Sequence, residues 1–238
     1  MSPNIMVIVP ARGGSKRLPG KNLLEIGGKS LFARIDDVVS QANLDAQIFL
    51  TTDDRSMAAA GERLGWAVPF LRPDELATDN ATTTDAILHL LDWHFAQAKK
   101  DPQIIMVLQP TSPYRCAESL VNAVERLRID PSINSVVGMS AIHRPVHGIF
   151  VIDKESTAVS VAEGDGRSLF YVSNGALFAT RTTAFRREKS LYVDRIFPLI
   201  MDQKQSQDID TEDDLKFVNA LLDVDIKPYA CRAEPTKN

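Results

Sequence analysis

The amino-acid sequence predicts an α/β fold, a mostly parallel sheet with helices on both faces. Three observations predict it. From Ile5 to Ser140, short β-rich runs alternate with helical patterns, as expected of strands joined by crossover helices. The run Ile104–Leu108 is apolar throughout, the pattern of a strand covered on both sides. The chain has 238 residues, 44% hydrophobic and 24% charged, enough for one sizeable core.

The elements follow in order. Ile5–Val9 is the first strand. Ser30–Asn43 reads as a helix, with Leu31, Ile35, Val38 and Val39 at helical spacing. Gln47–Leu50 is a second strand, a helix near Arg55–Leu64 follows, and Ala67–Leu71 is a third strand. Thr82–Lys99 is a long helix with Ile87, Leu88, Leu90, Leu91 and Phe95 on its buried side. Ile104–Leu108, the helix Ala117–Arg128 and the strand Ser135–Ser140 continue the alternation. From His143 to Thr180 the runs become strand-like, with turns at Asp153–Lys154 and Gly164–Gly166. They predict an antiparallel excursion forming a small lobe. Asp210 or Thr211 caps a last helix, Glu212–Leu222. We expect one domain over residues 1–225, the lobe inserted at about 143–170, and a polar tail at 226–238.

Composition bounds the function. A formal net charge of -4 excludes a general nucleic-acid binder. Cys116 and Cys231 lie far apart, match no metal spacing and read as free thiols in a reducing compartment. No apolar run approaches the roughly 18 residues of a membrane span. The N-terminus has no signal-peptide pattern, so the expected location is the cytoplasm.

The first strand runs into a loop, Ala11–Asn22, that mixes Gly13, Gly14 and Gly20 with Arg12, Lys16, Arg17 and Lys21. In an open α/β sheet, ligands bind beyond the carboxyl ends of the strands. Glycines there let backbone N–H groups approach an anion closely. Arg12 and Lys21 add charge-assisted bonds suited to phosphate oxygens. The loop therefore reads as a polyphosphate site, or else as a solvated basic turn. Neither the Walker A spacing nor G-x-G-x-x-G fits it. Near the other end of the chain, Asp208 and Asp210 stand two apart. In extended backbone both carboxylates point the same way, a hard donor pair suited to Mg²⁺. Asp210 reads equally as a helix cap. Asp53 and Asp54, at a strand end, either shape the site or cap the next helix.

The loop ARGGSKRLPGKN resembles the signature of the CMP-acylneuraminate synthetases, cytidylyltransferases that activate sialic acid-like sugars. Further stretches agree with that family in order and spacing: Thr51–Asp54, Phe70–Thr83, Leu108–Arg115, Ser173–Phe178 and Gln207–Leu215. The resemblance spans residues 5 to about 222. It implies the nucleotide-diphospho-sugar transferase type of Rossmann-like sheet, with an antiparallel dimerisation lobe. It implies that CTP is held by Arg12, Gly13, Gly14, Ser15, Lys21 and Asn22, with Arg72, Asn80, Ala81 and Thr83 around the base and ribose. It further implies that Gln109 and Asn174 meet the acid sugar and that Asp208 and Asp210 bind Mg²⁺. Without the resemblance, Arg72 also reads as a surface arginine, and Gln109 and Asn174–Gly175 as ordinary turn residues.

The sugar end departs from the family pattern. His147 stands where the family's H-x-P-x-K has lysine. Arg167 is the nearest candidate for the sugar carboxylate, at shorter spacing from Asn174 than the family shows. The apolar residues that accept the N-acyl group fall near Leu191 and Tyr192. The implied reaction joins CTP to a 2-keto-3-deoxy acid sugar, giving the CMP-sugar and pyrophosphate, with a sialic, legionaminic or pseudaminic acid as the sugar. A cytidylyltransferase for 3-deoxy-manno-octulosonate, a guanylyltransferase for a similar sugar and a non-catalytic nucleotide sensor are the alternatives. A homodimer is expected, with Val146, Ile149 and Phe150 in the lobe.

Overall fold

The computed structural model describes residues 4–142, 150–152, 157–160 and 170–222. Its described strands are β1 (Ile5–Pro10), β2 (Glu25–Ile26), β3 (Lys29–Ser30), β4 (Ala46–Thr51), β5 (Ile104–Val107), β6 (Ser135–Ile142), β7 (Phe150–Ile152), β8 (Ala158–Ser160), β9 (Phe170–Arg181) and β10 (Ile196–Ile200). The helices are α1 (Leu31–Ala42), α2 (Arg55–Arg63), α3 (Thr83–Ala98), α4 (Ala117–Ile129), α5 (Thr182–Glu188) and α6 (Glu212–Ala220). Six strands form one sheet in the order β10-β6-β9-β5-β1-β4, in which only β9 runs antiparallel to its neighbours. The α/β fold with a mostly parallel sheet is as expected.

The alternation of β1 explains the layering, because successive strand side chains point to opposite faces. Ile5, Val7 and Val9 pack with Phe32 and Ile35 of α1, Met57 of α2, and Leu120 and Val124 of α4. Met6 and Ile8 pack with Ile87, Leu90 and Leu91 of α3 and Phe185 of α5. Helices therefore cover both faces. A third cluster, Leu18, Ile26, Leu31, Ile209 and Val218, seats the opening loop against α6. Residues nearly two hundred positions apart in the chain meet there, which brings Lys21 to Asp210.

Several expectations are corrected. Ala67–Leu71 is not a strand. It makes only the isolated bridges Phe49–Ala67 and Thr52–Leu71, because Pro69 has no N–H to give a ladder. Phe95 is 48% exposed, since the buried stripe of α3 runs through Ile87, Leu90, Leu91 and His94. The stretch ending at Thr180 is not all lobe: β9 enters the main sheet between β6 and β5. The helix α5 and the strand β10 were not anticipated. Of the predicted lobe, β7 and β8 form a two-stranded antiparallel sheet. His143, His147, Val146, Ile149, Arg167 and the tail at 226–238 lie outside the described residues.

Candidate active site

A cleft opens beyond the carboxyl ends of β1, β4 and β5. It measures about 310 Å³ and is lined by Arg12, Lys21, Asn22, Arg72, Ala81, Thr83 and Gln109, with Asp79, Thr82 and Thr111 beside them. Seven residues singled out from the sequence are thus brought together. Gly13, Gly14, Ser15 and Asn80 flank this lining without being part of it.

The loop after β1 is held by carboxylates. Arg12 Nη1 donates to Asp79 Oδ1 at 3.1 Å, and Lys16 Nζ to Asp79 Oδ2 at 2.6 Å. Lys21 Nζ donates to Asp210 Oδ1 at 2.8 Å, and Arg17 Nη1 lies 3.2 Å from Asp210 Oδ2. The bond from Lys16, ahead of that from Arg12, holds the Asp79 carboxyl below its ordinary value. The Lys21 bond does the same for Asp210. Gly20, with φ +69°, turns the chain into the 3₁₀ turn Lys21–Leu23, a conformation glycine adopts without strain. The Asn22 side chain donates to the Arg12 carbonyl at 3.1 Å, bracing the loop from within.

The backbone amides behave differently from expectation. The Gly13 N–H donates to Asp53 Oδ1 at 3.0 Å, and the Ser15 N–H to the Gly13 carbonyl at 3.0 Å. Both amides are thus met by the protein itself, Gly13 by Asp53 after β4 and Ser15 within the loop. Asp53 and Asp54 divide the two roles considered for them. Asp53 braces Gly13, while Asp54 caps α2 by accepting from the Ser56 and Met57 amides.

Arg72 is buried beside this loop. Its Nε donates to Thr51 Oγ1 at 3.2 Å and its Nη2 to the Thr51 carbonyl at 2.5 Å. Burial pushes its guanidinium down, Asp53 opposes that shift and Arg12 adds to it. The guanidinium is thus fixed to the end of β4 before any ligand arrives, as preorganised recognition requires. The segment Thr78–Ala81 is a turn closed by the Ala81 N–H to the Thr78 carbonyl at 3.2 Å. It leads into α3, whose cap Thr82 forms a reciprocal capping box with Asp85.

Gln109, after β5, also lines the cleft. The Asn174–Gly175 pair sits where the β6–β9 register shifts between Val137 and Met139. It is a bulge in a long strand, not the ordinary turn the sequence allowed. Asn174 Nδ2 donates to Ser206 Oγ at 2.9 Å, and its Oδ1 accepts from the Ala176 amide at 3.1 Å. A Cβ on Gly175 would stand 3.3 Å from Gln109 Oε1, so Gly175 backs onto Gln109. Leu191 and Tyr192 are elsewhere: the Leu191 carbonyl accepts from Ser135 Oγ at the start of β6, the edge opposite the cleft. Leu191 is core and Tyr192 packs edge-on against Phe178. The reason is the antiparallel β9, which returns the chain to the amino edge of the sheet, pairing Arg181 with Ile104, before these residues occur.

Asp208 and Asp210 flank the buried Ile209, whose amide donates to the Thr111 carbonyl at 2.9 Å. The helix cap is Thr211, not Asp210. Among the described residues no group of three or more His, Cys, Asp or Glu is gathered as a metal site. Two carboxylates still fit Mg²⁺, which keeps waters and takes its remaining oxygens from a bound phosphate. Asp79, Thr82 and Thr111 were missed from the sequence. The motifs containing them were visible, but an acid or hydroxyl in a loop carries no periodic signal. Among the described residues no helix is long and apolar enough to cross a membrane.

Comparison with known proteins adds to this geometry. The family described as "Cytidylyltransferase" matches residues 6–236. CMP-N,N'-diacetyllegionaminic acid synthase of Legionella pneumophila is 30% identical over 227 residues, 92% of this chain and 97% of the relative. N-acylneuraminate cytidylyltransferase of Escherichia coli is 31% identical over 221 residues, 91% of this chain. The chain spans about half that relative, 51% of its length. A solved CMP:2-keto-3-deoxy-manno-octonic acid synthetase in complex with CTP superposes with a TM-score of 0.67 at 20% identity, covering 91% of this chain and 97% of the other.

Proposed function

The chain belongs to the cytidylyltransferase family, and from that premise we propose that it activates a nonulosonic acid by transfer of CMP from CTP. The observation that carries the proposal is the cleft itself. Arg12, Lys21, Arg72 and Gln109 line it together at the carboxyl edge of the sheet. The names of the Legionella and Escherichia relatives supply the sugar class, legionaminic or sialic acid.

In this reading, the buried Arg72 and the turn at Asn80–Ala81 receive the base, and Thr83 the ribose. Arg12 and Lys21 exchange their carboxylate partners for phosphate oxygens and offset the charge that builds on them. Gln109 and Asn174 orient the acid sugar so that its C2 hydroxyl attacks the α-phosphorus in line with the leaving pyrophosphate. Catalysis by positioning and charge neutralisation suits phosphoryl-type transfer. Asp208 and Asp210 would hold Mg²⁺, which when bound supplies Lewis-acid neutralisation of phosphate charge. The homodimer implied by the resemblance belongs to the same proposal, and a monomeric mass in solution would remove that part.

Pyrophosphate release with Mg²⁺ is the test, crossing CTP, GTP, ATP and UTP with sialic, legionaminic, pseudaminic and 3-deoxy-manno-octulosonic acids. Release with CTP and one nonulosonic acid is expected. Silence across the panel, with CTP still binding, would replace the reading with that of a nucleotide sensor.

A further inference from the structure

Arg115 closes the motif Leu108–Arg115, yet nothing above assigns it a role. It is only 7% exposed. Its Nε donates to the Ala176 carbonyl at 2.9 Å, and its Nη2 to the Gln109 carbonyl. Burial pushes its guanidinium down to about 9, and the nearby Asp208 charge partly offsets that shift. It remains cationic at neutral pH. A buried cation persists only where its charge and its donors are met; the two carbonyls take its Nε and Nη2 donors, and Asp208 bears on its charge.

The two hydrogen-bonded partners belong to different segments. Gln109 follows β5, and Ala176 follows the Asn174–Gly175 bulge of β9. These segments carry the residues assigned to the acid sugar. The nucleotide side hangs from other parts of the chain: the loop after β1, the end of β4 and the start of α3. A planar guanidinium with a fixed fork of donors suits the task of joining two segments, whereas a flexible ammonium does not.

We propose that Arg115 is a positioning residue: from its buried place it fixes the Gln109 and Ala176 carbonyls, shaping the acid-sugar side of the cleft without touching a substrate. This rests on the reading of Gln109 and Asn174 as acid-sugar contacts. Two variants separate charge from geometry, because Arg115→Lys keeps the charge but not the fork, and Arg115→Met keeps neither. They are assayed with CTP and whichever of N-acetylneuraminic acid and N,N'-diacetyllegionaminic acid the wild type turns over faster. The acid-sugar KM is expected to rise roughly tenfold in Arg115→Met and about threefold in Arg115→Lys, while the CTP dissociation constant stays within about twofold. Equal losses for both substrates, or a wild-type acid-sugar KM in both variants, overturn the proposal. Should Arg115→Met not fold, Arg115→Lys decides alone. Hydrogen exchange without substrate supplies the independent readout. Arg115→Lys is expected to speed exchange at residues 108–116 and 174–178 and leave 11–24 unchanged; unchanged exchange at 108–116 and 174–178 overturns the positioning role. If the wild type turns over no acid sugar, the functional reading fails, while the exchange experiment still decides Arg115.

Discussion

Two carboxylates hold four cations in the opening loop. Asp79 takes Arg12 and Lys16, and Asp210 takes Arg17 and Lys21. Each acid neutralises only one of its two partners, so the loop keeps a net positive charge for an anion. The Lys21 bond is the largest influence on the lowered titration of Asp210. The folded value lies below the unfolded one. The pair therefore stabilises the fold above the ordinary carboxylate range, and that contribution fades as pH falls through the lowered value. Replacing Lys21 removes the bond and should return the Asp210 titration toward the ordinary range. A carboxyl-carbon NMR titration of Lys21→Met checks this, and an unshifted Asp210 would show that Arg17 suffices. At this scale the sequence was most legible for charged and polar residues in motifs, since Arg12, Lys21, Arg72 and Gln109 all line the cleft. It was least legible for Asp79, whose importance comes from partners more than sixty residues away.

At the scale of elements, the legible parts were those with local periodicity. The helices α1 to α4 and the strands β1, β4, β5 and β6 lie close to where apolar spacing puts them. The path of β9 was not legible, because its insertion between β6 and β5 is a long-range pairing that no local pattern encodes. For the same reason the place of Leu191 and Tyr192 in the fold was not legible. The bulge in β9 is the consequence that matters for function, since irregular pairing re-aims side chains next to sites. Gly175 adopts φ +73° within it, and a Cβ there would press on Gln109. Gly175→Ala should therefore act twice. A left-handed non-glycine residue costs about 1–2 kcal/mol, which for a domain of this size lowers Tm by roughly 2–8 °C. Displacement of Gln109 should also raise the acid-sugar KM and leave CTP binding unchanged. Thermal unfolding with substrate kinetics checks both, and a stable variant with wild-type kinetics would show that the bulge relaxes freely.

At the scale of the whole molecule, two opposed fields act on an incoming nucleotide. The protein carries a net charge of -4, which repels an anionic ligand at a distance. The loop after β1 presents Arg12, Lys16, Arg17 and Lys21, three of them well exposed, and Arg12 and Lys21 line the cleft. Salt distinguishes the two fields by sign. Charges are screened beyond about 8 Å at physiological ionic strength, so added salt removes the distant repulsion first and then weakens the local attraction. If net charge governed encounter, CTP would bind more tightly as salt rises. If the clustered cations govern it, affinity falls, because focused local charge outweighs the diffuse field once the ligand enters the cleft. Ion pairs elsewhere favour the second outcome. Arg186 with Asp92 and Asp101, and Arg187 with Glu188 and Asp194, each keep one net negative charge, but at the amino edge of the sheet, away from the cleft. We therefore expect the CTP dissociation constant to rise roughly tenfold between about 0.05 and about 0.5 M sodium chloride. Calorimetric titration at several salt concentrations checks it. Affinity that held constant or improved with salt would mean that the phosphates do not meet these cations, and the nucleotide assignment of Arg12 and Lys21 would fall with it.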